Sequence, residues 1–135
     1  MPVDITLSSN SPTATIEMRQ AQPLGDGRHF AAFLVVRSGA FAAALPFVFA
    51  RDDLLTFAEA LETLSSTRSG VARLPSSEND DVIRFESADV GELRVCGELD
   101  ETSGAQRLTF SFVAEWEGLG AFVDTLRQLR TRHVN

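Results

Sequence analysis

The side chains in this sequence that could act as bases, nucleophiles or metal ligands are few and far apart. Two histidines, His29 and His133, and one cysteine, Cys96, are the whole supply of imidazole and thiol. Nucleophilic catalysis needs a Ser or Cys, a base beside it and a group that orients the base. His29 falls at the edge of an expected strand and His133 close to the end of the chain, where ends fray, so neither is placed to anchor a rigid site. Cys96 lies in an alternating run from Leu93 to Leu99, on the face opposite those two residues and Val95. With no cation or helix start beside it in sequence to lower its thiol pKa, it reads as a small packing residue.

Two distant histidines and one cysteine do not make a transition-metal cluster. Glu78-Asn79-Asp80-Asp81 lacks the ligand spacing of an EF-hand loop and reads as a solvated turn. Gly25-Asp26-Gly27 lacks the glycine spacing and the following helix of a dinucleotide site, and a chain without lysine has no P-loop. The carboxylate pairs Glu115 with Glu117 and Asp100 with Glu101 read as surface residues. These patterns predict a protein that is not an enzyme and that carries no cofactor or metal.

Charge is the more informative pattern. The formal net charge is −7, which argues against binding nucleic acid, whose phosphates need a clustered basic surface. Between residues 78 and 101 nine acids stand against two arginines, Arg84 and Arg94. On neighbouring strands these acids could share one face as a negative patch, and Glu98, Asp100 and Glu101 are its candidate partner-binding residues. Trp116 is a candidate contact anchor, because Trp is enriched where binding energy concentrates; the competing role is to cap the core beside a helix start. Arg127, Arg130, Arg132 and His133 place positive charge where the last helix ends, opposite the negative end of its dipole.

Elements that could position these residues are legible from periodicity. Val3, Ile5 and Leu7, then Ala14, Ile16 and Met18, alternate across Ser8-Ser9-Asn10-Ser11-Pro12 as a hairpin would. Pro23 to Gly27 breaks the chain. Phe30 to Val36 and Phe41 to Phe49 are apolar at nearly every position, as in strands covered on both faces or at the centre of a sheet, with Ser38-Gly39 as the turn between them; the alanines at 42 to 44 also suit a helix, but Pro46 and the spacing of Phe47 and Phe49 favour a strand. A helix is expected from 53 to 67, with Asp52 or Asp53 capping its start and Leu54, Phe57, Ala58, Leu61 and Leu64 on one face. Val82 to Phe85, Leu93 to Leu99 and Leu108 to Phe112 read as further strands. Leu119, Phe122, Val123, Leu126 and Leu129 give a second amphipathic helix.

The expected fold class is α+β: antiparallel strands with two amphipathic helices packed on them, in one domain of 135 residues. Leu54 and Leu119 differ by 119 − 54 = 65, and the same offset pairs Phe57 with Phe122, Leu61 with Leu126 and Phe47 with Phe112. Strands then helix, twice, would make a two-half pseudo-repeat; a leucine stripe common to any two amphipathic helices would give the same coincidence.

All 12 basic residues are arginine and there is no tyrosine, which points to a bacterial source with GC-rich DNA. The opening Met-Pro-Val-Asp-Ile-Thr has no signal-peptide pattern, the apolar runs are short of the ~20 residues that span a bilayer, and a single cysteine suits a reducing compartment. A cytoplasmic protein without membrane contact is expected.

From Ser38 onward the order of features resembles the WapI-like immunity proteins. The shared points are Gly39-Ala40-Phe41, the helix residues Leu54, Phe57, Leu61 and Leu64, then Gly91-Glu92-Leu93-Arg94-Val95, and finally Leu108, Phe110, Phe112, Leu119, Phe122 and Leu126. Glu115-Trp116-Glu117 stands where that family's polar stretch before the last helix is expected, so no binding residue is carried over. The resemblance implies a protein that neutralises a toxin domain made by the same cell, and the acidic segment would suit a basic toxin. The expected function is therefore a non-enzymatic, acidic protein-binding domain. The alternatives are a homodimer formed through the strand Phe41 to Phe49 or a helix face, and a small-molecule-binding domain.

Overall fold

The computed structural model describes residues 3–8, 14–87, 91–100 and 106–130. β1 (Val3–Ser8), β2 (Ala14–Pro23), β3 (His29–Ser38) and β4 (Phe41–Ala50) pair antiparallel in chain order, and α1 (Arg51–Thr67) follows without a break. The same grammar then repeats as β5 (Val71–Pro75), β6 (Val82–Ser87), β7 (Leu93–Asp100), β8 (Arg107–Ala114) and α2 (Trp116–Arg130). The fold is α+β, with strands then helix twice over. Of the expected turns, Ser9 to Pro12, Asp89-Val90 and Thr102-Ser103-Gly104 lie outside the described residues, as do Glu101, Arg132 and His133.

Alternation sends one face of each sheet inward: Leu34, Val36, Phe47 and Phe49 from the first, Ile83, Phe85, Val95 and Leu99 from the second. The helix stripes Leu54, Phe57, Leu61, Leu64 and Leu119, Phe122, Leu126, Leu129 close onto them in one continuous core. A bulge in β2 between Arg19 and Gln22 keeps the alternation in phase, so that Met18 and Ala21 are both buried. There Gln20 takes a left-handed φ of 55°, and its amide donates to Asp4 Oδ1 at 2.8 Å.

Three sequence expectations are corrected. β4 is not covered on both faces: it is the edge of its sheet, with Leu45, Phe47 and Phe49 buried while Ala42, Ala44 and Pro46 are exposed and Phe41 is 70% exposed. α1 begins at Arg51 with Ala50 at the N-cap and no capping side chain; Asp52 and Asp53 sit inside the first turn, where their charge still meets the positive end of the dipole. After Ser69-Gly70 only extended chain was expected, and Val71–Pro75 there is a paired strand, β5.

The halves interlock. α1 packs chiefly on β5 and α2 on β1, while the helices pack on each other, so the helix of each half covers the first strand of the other. The helices start at equivalent positions, 116 − 51 = 65. Arg127 Nε donates to Glu62 Oε1 at 2.7 Å across the helix pair, a separation of 65 residues as well. Contact between equivalent positions is what a twofold relation produces. The offset slips to 95 − 32 = 63 in the preceding strand, where Ala32 faces Phe47 and Val95 faces Phe112.

Candidate functional site

The second sheet turns its outer face to solvent, and the acidic segment contributes to it. β6 and β7 do bring Glu86, Glu98 and Asp100 to one face. Alternation puts Arg73 of β5, Arg84 of β6, Arg94 of β7 and Arg107 of β8 on that same face, with Glu86 opposite Arg94 and Asp100 opposite Arg107 in the register. The strands therefore carry a checkerboard of charge instead of the expected uniform negative patch.

Negative charge accumulates at one corner of this face. Asp81 ends the β5–β6 turn, and its Oδ1 accepts the Asp100 amide at 2.8 Å, which holds the exposed Glu78 and Asp80 near the acidic end of β7. Arg107 Nη2 donates to Glu98 Oε2 at 2.6 Å, and Nη1 to the two Asp100 carboxylate oxygens at 2.9 and 3.0 Å. The hydrogen bond from Arg107, and then its charge, hold the Glu98 carboxyl below its ordinary value.

Asp81 departs from the solvated turn read in the sequence. It is 2% exposed, the sole buried charged side chain among the described residues. Burial pushes its pKa up, against the opposing pull of the Asp100 amide. A folded-state value above the unfolded one means that the native chain holds the proton more tightly, so this group's contribution to stability falls as pH rises through the raised value. Asp81→Asn keeps an acceptor for the Asp100 amide and removes the charge. It is expected to melt higher than the parent at pH 7 in calorimetry, with the advantage vanishing near pH 4, where an unfolded aspartate takes up its proton at about 3.9. A parent-like melting point at pH 7 would exclude that role.

Trp116 opens α2 half-buried against the core. Its indole Nε1 donates to the Gly91 carbonyl at 2.8 Å, and the Arg68 guanidinium lies 5.4 Å from the ring centre, so the residue ties the start of β7 to both helices. Cys96 is buried on the outer face of β7, opposite Arg84 of β6 and Ser111 of β8. Arg84 and Arg94 do stand near it, but burial, with Glu86, pushes its thiol up. His29 Nδ1 is 2.7 Å from Asp26 Oδ2. Asp26 also accepts the Arg28 amide, the largest of the interactions that bring its carboxyl down to about 2.

Clefts open at two places among the described residues. One of about 370 Å³ lies at the start of α1 beside Gly27, Arg28, His29 and Arg51. The larger, about 500 Å³, runs along β4 from Phe41 to Leu45 and is closed on the far side by Leu99, Gln106, Arg107 and Leu108. Among the described residues no group of three His, Cys, Asp or Glu side chains is arranged to hold a metal, and no helix is long and apolar enough to cross a membrane.

The structure thus brings Glu98 and Asp100 together at one corner and leaves Trp116 apart from them. Sequence reasoning missed Arg107 and Asp81 there. The signal for Arg107 was the expected β7–β8 hairpin, which makes an arginine entering β8 the cross-strand neighbour of the acids leaving β7. No protein family, curated protein or solved structure matches this chain.

Proposed function

We propose that this chain is a non-enzymatic protein-binding domain of the immunity type, whose partner is a basic protein. The observation that carries this reading is the corner where Arg107 holds Glu98 and Asp100, and where the hydrogen bond from the Asp100 amide to Asp81 joins on the turn that carries the exposed Glu78 and Asp80. Glu78, Asp80, Glu98 and Asp100 outnumber Arg107 and Arg84 there, and the remaining negative field raises the encounter rate with a positively charged surface and disfavours acidic competitors. Arg107 holds two of those carboxylates in fixed positions, so a partner's arginine or lysine meets a pre-ordered acceptor and less side-chain freedom is lost on docking. The resemblance to WapI-like immunity proteins and the net charge of −7 support the same reading, with a toxin domain made by a bacterial cell as the partner. Glu101 adjoins Asp100 in sequence and extends the acidic run, whereas Trp116, with its indole N–H bound to Gly91 and Arg68 over its ring, is left to a structural role.

The test starts with capture of the partner by the tagged chain, followed by association rates measured by stopped flow. Glu78→Arg together with Asp80→Arg changes two exposed side chains and is expected to slow association about tenfold at low salt, with the difference closing at high salt. A captured partner that is itself acidic, or a rate at low salt that the double substitution leaves unchanged, would overturn the reading.

A further inference from the structure

We propose that two copies of this chain associate through the free edge of β4, which pairs antiparallel with itself about a twofold axis at Ala43. This inference stands independently of the basic-partner reading.

A net charge of −7 disfavours the approach of two copies on average, and an uncharged stretch of surface is free of that cost. Among the described strands β4 alone, Phe41 to Ala50, contains no charged residue. It is also flat: its ten pairs with β3 run without a register shift, unlike those of β1 with β2 and β2 with β3. A long, regular, uncharged edge lacks the charge or bulge that usually guards against strand addition.

The direction of the free backbone groups defines where pairing can occur. The Val48 carbonyl points away from β3, because it accepts the Ser77 amide at 2.9 Å. Backbone groups alternate between the two edges of a strand, so the N–H and C=O of Ala42 and Ala44 also point outward, as does the carbonyl of Pro46, which has no N–H to donate. Ser77 covers the end of the strand near Val48 and leaves Phe41 to Leu45 open, and these five residues form one side of the 500 Å³ cleft.

Self-pairing about Ala43 sets Ala42 against Ala44 of the partner subunit and Ala44 against Ala42 of the partner subunit. Each pair exchanges two main-chain hydrogen bonds, four in all by the antiparallel pattern. The same register puts Phe41 opposite Leu45 of the partner subunit, on the inward face. The phenyl ring, 70% exposed in the single chain, enters the neighbouring cleft beside Leu99 and Leu108. Arg107 across that cleft is already bound to Glu98 and Asp100, so an apolar occupant leaves no counter-charge unmet. Both copies use the same patch, which closes the assembly at two.

Sedimentation velocity on the full chain, from about 1 µM to about 200 µM, is expected to show the mass rising from one chain to two by mass action. Ala44→Pro removes an outward N–H that β3 does not use and is expected to weaken association at least about tenfold, with an unchanged circular dichroism spectrum. Phe41→Lys alters an exposed side chain and is expected to leave the protein monomeric over the whole range. A parent chain that stays monomeric throughout overturns the proposal. A dimer that neither substitution weakens overturns it in favour of another face.

Discussion

Phe85→Ala is expected to lower the unfolding free energy by about 3–5 kcal/mol, read as a shift of the urea midpoint at unchanged slope. Phe85 is 0% exposed on β6, and its ring meets Phe57 of α1 edge-on at 5.6 Å between centroids and Phe122 of α2 tilted at 5.1 Å. Phe57 and Phe122 are the equivalent positions of the two helices, so Phe85 is the one side chain of this trio that serves both halves of the repeat. Truncation removes its own buried area and opens a cavity that neither helix can close alone, because each is also anchored on the other half's first strand. A loss of this size is a large share of the roughly 5–15 kcal/mol that holds a domain folded. Phe33→Ala provides the contrast: it shortens a ring 44% exposed on the outer face of β3, and a cost below about 1 kcal/mol is expected. Equal costs for the two would mean that the rings do not couple the helices through β6.

Much of this architecture was legible because burial imposes a period on sequence. The five apolar positions expected on one face of the first helix, Leu54 to Leu64, are all buried in α1, and those from Leu119 to Leu129 are all buried in α2. The start of α1 was misread because a capping aspartate is one solution to an unpaired helix amide and the protein uses another. The chain enters α1 directly from β4, and the Arg51 amide donates to the Arg28 carbonyl at 2.8 Å, which a sequence cannot display. β5 was missed because its hydrophobicity is inverted: Val71 is 53% exposed while the small Ala72 is fully buried. The exposure of β4 was hidden for a related reason. An all-apolar run reads the same at the centre of a sheet and at its edge, and only strand order separates the two.

The candidate site was half legible. That Glu98 and Asp100 lie near each other follows from alternation along one strand. Part of the positive charge that offsets the acidic segment on this face comes from elsewhere in the chain: Arg107 from β8 and Arg73 from β5. Net charge summed along a stretch of sequence therefore overstated the field of the folded face, since a sheet mixes residues from four stretches. The corner at Glu78 to Asp81 escaped that mixing because a turn projects beyond the strands and Asp81 pins it to Asp100.

Gly97→Ala is expected to cost about 2–3 kcal/mol, and Gly97→Val more, for a reason unrelated to backbone freedom. Gly97 lies in β7 opposite Ile83 and Phe110, in ordinary strand conformation. A Cβ there would overlap the Val82 carbonyl oxygen and stand 2.9 Å from Phe110 Cε1. A phenyl ring could turn aside, but a main-chain carbonyl in the neighbouring strand cannot move without disturbing the ladder around it. The absence of a side chain is thus what lets β6 and the Phe110 ring close over the inner face, as expected of glycine inside a strand. Gly120→Ala is the control: its Cβ would meet nothing within 4 Å, and alanine is a better helix former by about 1 kcal/mol, so α2 should gain stability. Since β7 carries Glu98 and Asp100 immediately after Gly97, strain there should also reach the corner. The Gly97→Ala variant is therefore expected to melt lower and to exchange its Asp100 amide faster than the parent, whereas an unshifted melting point would show that β6 yields more easily than its register implies.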